Sequence, residues 1–259
     1  MGIMIKEALK NKNDIVTAIV LAGGRGSRMK SDIPKQFMLI DDKPVIYYAL
    51  KKFQEIDIID NIILVTGESD ISYCRENIVE KYNITKVNCI TSGGKERYNS
   101  VYNGLMALDE LKNDNNNHNI SKEAQHYVLI HDGARACITD SIIENCYNDV
   151  KKYKACVAAV PVKDTIKIAD KDGFAINTPD RSTLWQIQTP QAFEYNIVKE
   201  AYQKMIIDDN KGNITDDAMV VEEFTTNQVR FVQGDYKNIK VTTPEDIDIA
   251  ELFIELDDK

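Results

Sequence analysis

The sequence predicts an α/β protein built on one mainly parallel sheet with helices on both faces. Three observations predict it. Strand-like and helix-like stretches alternate along the chain at the spacing of strand–helix–strand units. The strand-like stretches, among them Ile19-Val20-Leu21 and Ile62-Ile63-Leu64-Val65, are unbroken apolar runs, as in strands buried on both faces. The first run stops at Gly23-Gly24-Arg25-Gly26, a loop nearly free of side chains at a strand's carboxyl end, where such sheets bind ligands.

Residues 1–13 are polar with two short apolar patches and read as a loose or weakly helical extension. Strand one covers roughly 15–22 and the glycine loop follows. Pro44 sits at the first turn of a helix that keeps a 3.6-residue apolar rhythm to Phe53. Residues 61–67 form a short buried strand, 70–82 a helix and 87–90 a strand, and Val101, Leu105 and Leu108 mark one face of a helix over 96–111. Residues 112–122, rich in Asn, have nothing to pack and read as a flexible solvent loop. The rhythm resumes with a strand at 127–130, a helix at 140–152 and a strand at 155–160. Residues 162–185 break it. Lys171-Asp172-Gly173 is a turn between two short strand-like runs, so this is an antiparallel hairpin with little apolar material of its own. Either it lies over the sheet or it reaches out to a partner subunit. Helices at about 193–205 and 215–224, strands at 229–232 and 238–241, and a last helix behind Thr243-Pro244 complete the chain.

With 259 residues, 43% of them hydrophobic, the chain has material for a sizeable core and reads as a single domain, 1–259. The formal net charge of -9 argues against a binder of nucleic-acid backbone, whose surface should be basic. Local Arg and Lys can still serve one nucleotide. The five cysteines include no Cys-x-x-Cys pair, which with three histidines argues against structural zinc and for reduced, buried thiols. No apolar run is long enough for a membrane span, and the start lacks a signal-peptide core, so a soluble, cytoplasmic protein is expected.

Five stretches fall where loops gather at one sheet edge. In the first, Arg28 and Lys35 stand behind the glycines, which describes a phosphate cradle. It is not a Walker A loop, which would close with Gly-Lys-Ser/Thr, and Met29 stands where a dinucleotide loop has its last glycine. The second, Ser92 to Ser100, either brings glycine backbone and the Ser100 hydroxyl to a base or sugar, or is only a helix-start turn. In the third, His131-Asp132-Gly133-Ala134-Arg135, Asp132 is either a Mg²⁺ ligand or a structural cap. In the fourth, Arg181 either holds a substrate phosphate or forms a local ion pair. In the fifth, Lys240 on a short strand meets phosphate. Asp216 and Asp217 read as the first turn of a helix behind Thr215. Several cations, one carboxylate and no credible Ser–His–Asp or Cys–His set suit phosphoryl or nucleotidyl transfer, which needs alignment and charge neutralisation.

Nine motifs occur in a fixed order: LAGGRGSRM (21–29), PKQF (34–37), SGGKERYNSV (92–101), HDGAR (131–135), VPVKDTIK (160–167), TPDRSTLW (178–185), QTPQAF (188–193), TDDA (215–218) and NIKVTTPEDI (238–247). Through them the chain resembles the 2-C-methyl-D-erythritol 4-phosphate cytidylyltransferase family of the non-mevalonate isoprenoid pathway, over about 15–253. The resemblance implies a Rossmann-like fold of the nucleotide-diphospho-sugar transferase type with a protruding β-arm, and a homodimer. It implies that Ala22, Gly23 and Gly24 wrap CTP, that Arg28 and Lys35 bind its phosphates and stabilise the pentavalent α-phosphate, and that Gly94, Lys95 and Ser100 read cytosine and ribose. Asp132 would hold Mg²⁺ and Arg135 would support its loop. The 162–185 hairpin would be the arm, carrying Thr165 and Arg181 to the sugar phosphate bound by the partner, where Lys240 joins them. Asp216 and Asp217 stay structural in this reading.

Two departures stand out. Ala136 replaces the Pro usual after HD-x-x-R, so that loop is expected to be less rigid. The Asn-rich insertion and the N-terminal lead are also atypical. The nearest rival is a relative that cytidylylates ribitol 5-phosphate for cell-wall polymers; it shares the cradle, PKQ and NIKVTTP. The Asp-Arg-Ser-Thr-Leu-Trp run and TDDA favour the methylerythritol enzyme. A catalytically silent nucleotide-binding protein would not require Arg28, Lys35, Asp132, Arg181 and Lys240 together.

Overall fold

The computed structural model describes residues 13–24, 33–113, 124–208 and 213–257. Strand β1 (Asp14–Ala22) leads to a single 3₁₀ turn, Lys35–Phe37, and a two-residue ribbon of β2 (Leu39–Ile40) and β3 (Lys43–Pro44). Then come α1 (Val45–Glu55), β4 (Asn61–Thr66), irregular helical turns over 68–80 that contain α2 (Ile71–Cys74), β5 (Val87–Ser92) and α3 (Arg97–Asn113). The second half runs β6 (Gln125–Asp132), α4 (Asp140–Tyr153), β7 (Ala155–Pro161), the hairpin β8 (Ile168–Ala169) and β9 (Ala175–Asn177), β10 (Trp185–Glu194), α5 (Tyr195–Ile207), α6 (Asp217–Phe224), β11 (Arg230–Gln233) and α7 (Glu245–Asp257).

Seven strands form the sheet in the order β11-β7-β10-β6-β1-β4-β5. All neighbours are parallel except at β10, which runs antiparallel to both β6 and β7. The unbroken apolar runs follow from burial on both faces. Along β1, Val16, Ala18 and Val20 pack into the layer of α1 and α4, while Ile15 and Ile19 pack into that of α3, α5 and α6. Each fully buried Ile or Leu contributes about 2 kcal/mol by leaving water. Helix α3 lies so close to the sheet that a Cβ on Gly104 would meet Ile19 Cγ2 at 2.7 Å, so that position needs glycine. A smaller cluster of Ile40, Val45, Ala136, Cys137, Val241 and Ala250 fixes α7 beneath the β6 loop.

The structure corrects four element assignments. Residues 185–192, given no strand by the sequence pattern, belong to central strand β10. Gln186, Gln188, Thr189 and Pro190 hide its periodicity, and Pro190 is tolerated because the pairing with β7 is interrupted between Ile187 and Gln191. Residues 238–241, expected as a strand, are an irregular segment held by Val241 N–H donating to Ala134 O at 2.8 Å. Lys112 and Asn113 are the last turn of α3, not the start of a loop; the rest of 112–122 lies outside the described residues, as do 1–12. The residue before α6 whose side chain caps it is Asp216, which accepts from Met219 N–H at 2.9 Å, and not Thr215.

The hairpin of β8 and β9 turns at Gly173, whose φ of +87° favours glycine. Its apolar side chains point outward: Phe174 is 73% and Ile176 66% exposed.

Candidate active site

Strands β1, β4, β5 and β6 run parallel and end at one edge. There Gly23 and Gly24 leave β1, and the Gln36 side-chain amide donates to Ala22 O, tying the glycine loop to the 3₁₀ turn that carries Lys35. Lys35 Cε passes 4.0 Å from where a Gly24 Cβ would lie, so the lysine lies alongside the loop. On the far side, Gly93 N–H donates to Thr66 O at 2.7 Å, and Gly94 N–H donates to Ser100 Oγ at 3.1 Å. A Cβ on Gly94 would collide with Asn99 Cβ, which is why the turn into α3 needs glycine there.

Between these walls is a cavity of about 630 Å³, the size of a nucleotide site. It is lined by nine of the residues singled out in the sequence: Ala22, Gly23, Gly24, Lys35, Gly94, Lys95, Ser100, Asp132 and Lys240. Arg135 lines a second hollow of about 290 Å³ beside it, together with Gln188, Thr189 and Thr215. Three residues face both spaces: Arg97, Asp132 and Lys240. They form the partition.

Asp132, at the last position of β6, is clamped. Lys240 Nζ lies 2.6 Å from its Oδ2 and Arg97 Nε 3.4 Å from its Oδ1. Burial alone would raise the pKa of this carboxyl, but Arg97 and Lys240 outweigh it and hold the group far below the usual carboxylate range. The paired cations favour its ionised form. Lys240 reaches it because Arg135 Nη1 donates to Asn238 O at 2.7 Å, bracing the segment that carries the lysine. Arg135 therefore supports the site through the 238–241 loop as well as its own.

Arg97 was not among the candidates read from the sequence. Its Nη1 and Nη2 donate to Oδ1 and Oδ2 of Asp217 at 2.7 and 2.8 Å. Burial opposes its charge, yet Asp217 and Asp132 more than compensate and raise its pKa well above the ordinary arginine value. Asp217 is fully buried and also accepts from the Tyr202 hydroxyl, and Gln191 Oε1 accepts from the N–H groups of Asp217 and Ala218. Asp217 thus does more than open α6. One signal pointed to Arg97: a cation in the first helical turn opposes the helix dipole, so some other partner has to hold it there. Gln191 and Thr189 gave no such signal.

His131 is bonded to its neighbours at both ring nitrogens and lines neither space. It is fully buried, and desolvation lowers its pKa to about 4. Its Nε2 lies 3.3 Å from Arg135 O, an acceptor only, so Nε2 carries the proton. Its Nδ1 then accepts from Thr189 Oγ1 at 3.0 Å, while Thr189 accepts from Asp132 N–H at 3.1 Å. Between about pH 6.5 and pH 4 an unfolded chain protonates this histidine and the folded chain does not, so stability falls as pH is lowered through that window. A gap of that size is worth about 3 kcal/mol. The urea midpoint should therefore drop from pH 7 to pH 4.5, and His131→Gln, which keeps a donor and an acceptor, should flatten the dependence; an unchanged slope would rule the histidine out.

Three candidates remain. Arg28 lies outside the described residues. Thr165 and Arg181 are exposed on the hairpin segment and do not line either space of their own chain; Arg181 Nη1 donates to Lys163 O at 3.0 Å. Among the described residues no group of three or more His, Cys, Asp or Glu is arranged to enclose a metal. Asp132 alone still fits Mg²⁺, which is commonly held by one or two carboxylates, with substrate phosphates and water completing its shell. No described helix is long and apolar enough to cross a membrane.

A family model described as "IspD: 2-C-methyl-D-erythritol 4-phosphate cytidylyltransferase" matches residues 16–256. A 2-C-methyl-D-erythritol 4-phosphate cytidylyltransferase from Lachnospira eligens is 50% identical over 238 residues, 92% of this chain and 98% of that protein. One from Lachnoclostridium phytofermentans is 46% identical, over 92% of this chain and 96% of its own. The crystal structure of a 4-diphosphocytidyl-2C-methyl-D-erythritol synthase from Anaerococcus prevotii superposes with a TM-score of 0.77 at 31% identity, covering 94% of this chain and 97% of that one.

Proposed function

The chain belongs to the 2-C-methyl-D-erythritol 4-phosphate cytidylyltransferase family, and from that premise we propose how its two cavities divide the reaction. The activity is CTP-dependent transfer of CMP to 2-C-methyl-D-erythritol 4-phosphate, a step of isoprenoid precursor synthesis. The family match weighs against ribitol 5-phosphate as the acceptor.

The observation that carries the mechanism is the shared partition of Arg97, Asp132 and Lys240 between a nucleotide-sized cavity and a smaller hollow. CTP occupies the larger space with its phosphates along Gly23, Gly24 and Lys35, and its base and ribose against Gly94, Lys95 and Ser100. The polyol phosphate occupies the smaller one, near Arg135. A phosphate oxygen of the acceptor attacks the α-phosphorus of CTP, and the bond to the β-phosphate's bridging oxygen breaks, releasing diphosphate. An acceptor that is already an ionised phosphate needs no strong base, so what the protein supplies is alignment and charge. Lys35, Arg28 and Lys240 offset the charge on the phosphates. Mg²⁺ bound through Asp132 would add Lewis-acid neutralisation of the triphosphate.

The arm completes the site in a homodimer. Exposed Phe174 and Ile176 support this, since a lone chain gains nothing by leaving them in water, and so does the fact that Thr165 and Arg181 line neither space of their own chain. Arg181→Ala should raise the KM for the polyol phosphate about tenfold or more with little change in the KM for CTP, as loss of one charged phosphate contact costs about 1.5–3 kcal/mol. An unchanged acceptor KM would refute the arm's role. We place the reaction in the cytoplasm, where its small-molecule substrates are free. Incubation with CTP, Mg²⁺ and each acceptor separately tests the whole reading; turnover of ribitol 5-phosphate alone would overturn it.

A further inference from the structure

The partition contains a residue whose position neither substrate accounts for. Arg97 begins α3, where a helix favours anions over cations. It stays there because Asp217 grips both Nη atoms, leaving only Nε to face the site, 3.4 Å from Asp132 Oδ1. Asp217 in turn is held from behind by the Tyr202 hydroxyl and by Gln191. The row Tyr202–Asp217–Arg97–Asp132 therefore runs from the core to the one carboxylate at the partition, through residues of four elements.

The other grip on Asp132 is Lys240, which the acceptor phosphate also requires. Once an acceptor draws Lys240 away from Oδ2, Arg97 is what remains to fix the carboxylate. We infer that Arg97, anchored by Asp217, is a positioning residue that sets the direction of the Asp132 carboxylate and thereby its grip on the divalent ion. This rests on Asp132 being the metal-holding carboxylate.

Charge and position can be separated experimentally. Arg97→Lys keeps the charge but cannot span both carboxylates. The double variant R97Q/D217N removes one cation and one anion, so the summed charge is unchanged and no buried charge is left alone. In each, Mn²⁺ binding to the complex with the acceptor and a CTP analogue carrying a non-cleavable α,β-methylene bridge, read by electron paramagnetic resonance, should weaken about tenfold, and kcat with CTP should fall by a similar factor with the KM for CTP steady, the usual cost of losing a residue that orients a metal ligand. Tyr202→Phe touches the row only at its far end and should lower the melting temperature without moving Mn²⁺ affinity. Mn²⁺ affinity and kcat within twofold of the parent in Arg97→Lys would make Arg97 a stitch between α3 and α6 and overturn the inference. Tyr202→Phe weakening Mn²⁺ as strongly as Arg97→Lys would overturn it too, as general loosening. Asp132→Asn separates the premise: if it leaves Mn²⁺ binding intact, the metal assignment fails, whereas loss there with no effect at Arg97 sinks only the positioning role.

Discussion

Asp132→Asn should lower kcat by about 10²–10³-fold, the loss typical of removing one preorganised electrostatic group from a transition-state site, while the KM for CTP stays level or falls. The opposite directions follow from charge. The asparagine matches the shape of the aspartate, so the cavity keeps its walls. Lys240 loses its carboxylate partner and Arg97 the weaker of its two, which leaves the partition more positive. A more positive cavity attracts the triphosphate at least as well. What is lost is the one acidic side chain of the partition, and with it the place where a divalent ion meets the protein. Steady-state kinetics at saturating Mg²⁺, with both substrates varied, check this. A kcat within threefold of the parent would remove Asp132 from the mechanism.

Asp217→Ala should be the most destabilising single change near the site. The carboxylate is fully buried and bonded to Arg97 twice and to Tyr202 once. Removing it leaves a largely buried guanidinium whose remaining carboxylate contact is the longer one to Asp132. Breaking a buried pair in this way costs about 3–5 kcal/mol. For a chain of this length that lowers the melting temperature by about 10 °C. Asp216→Ala removes the α6 cap and one hydrogen bond from the Gln191 amide and should cost about 1–2 kcal/mol. Parallel thermal melts of the two variants give the comparison. Equal losses would mean that the Arg97 pair adds nothing beyond an ordinary helix cap.

Much of the fold was legible because its causes are local. The runs at 15–22 and 61–66 are apolar throughout since both sheet faces are covered, and the glycines at 23 and 24 mark where β1 must stop. The helix periods of α1, α3 and α4 needed no partner to be recognised. β10 was not legible. Its buried residues Gln188, Thr189 and Gln191 are polar because they serve Asp235 and Asn238, Asp132 and His131, and the start of α6, so its apolar trace shrinks to Ala192 and Phe193 at the end.

The site divides in the same way. The sequence alone singled out Gly23, Gly24, Lys35 and Lys240 for phosphate and Asp132 for its counter-ion, since they fall at strand ends or carry ordered motifs, and the structure gathers all five around one cavity. It could not show that Arg97 and Asp217, separated by 120 positions, are ion-paired, or that Lys240 rests on Asp132. The reason is physical: a charged side chain's role depends on which opposite charge the folded chain brings within a few ångströms, and no local pattern records that distance.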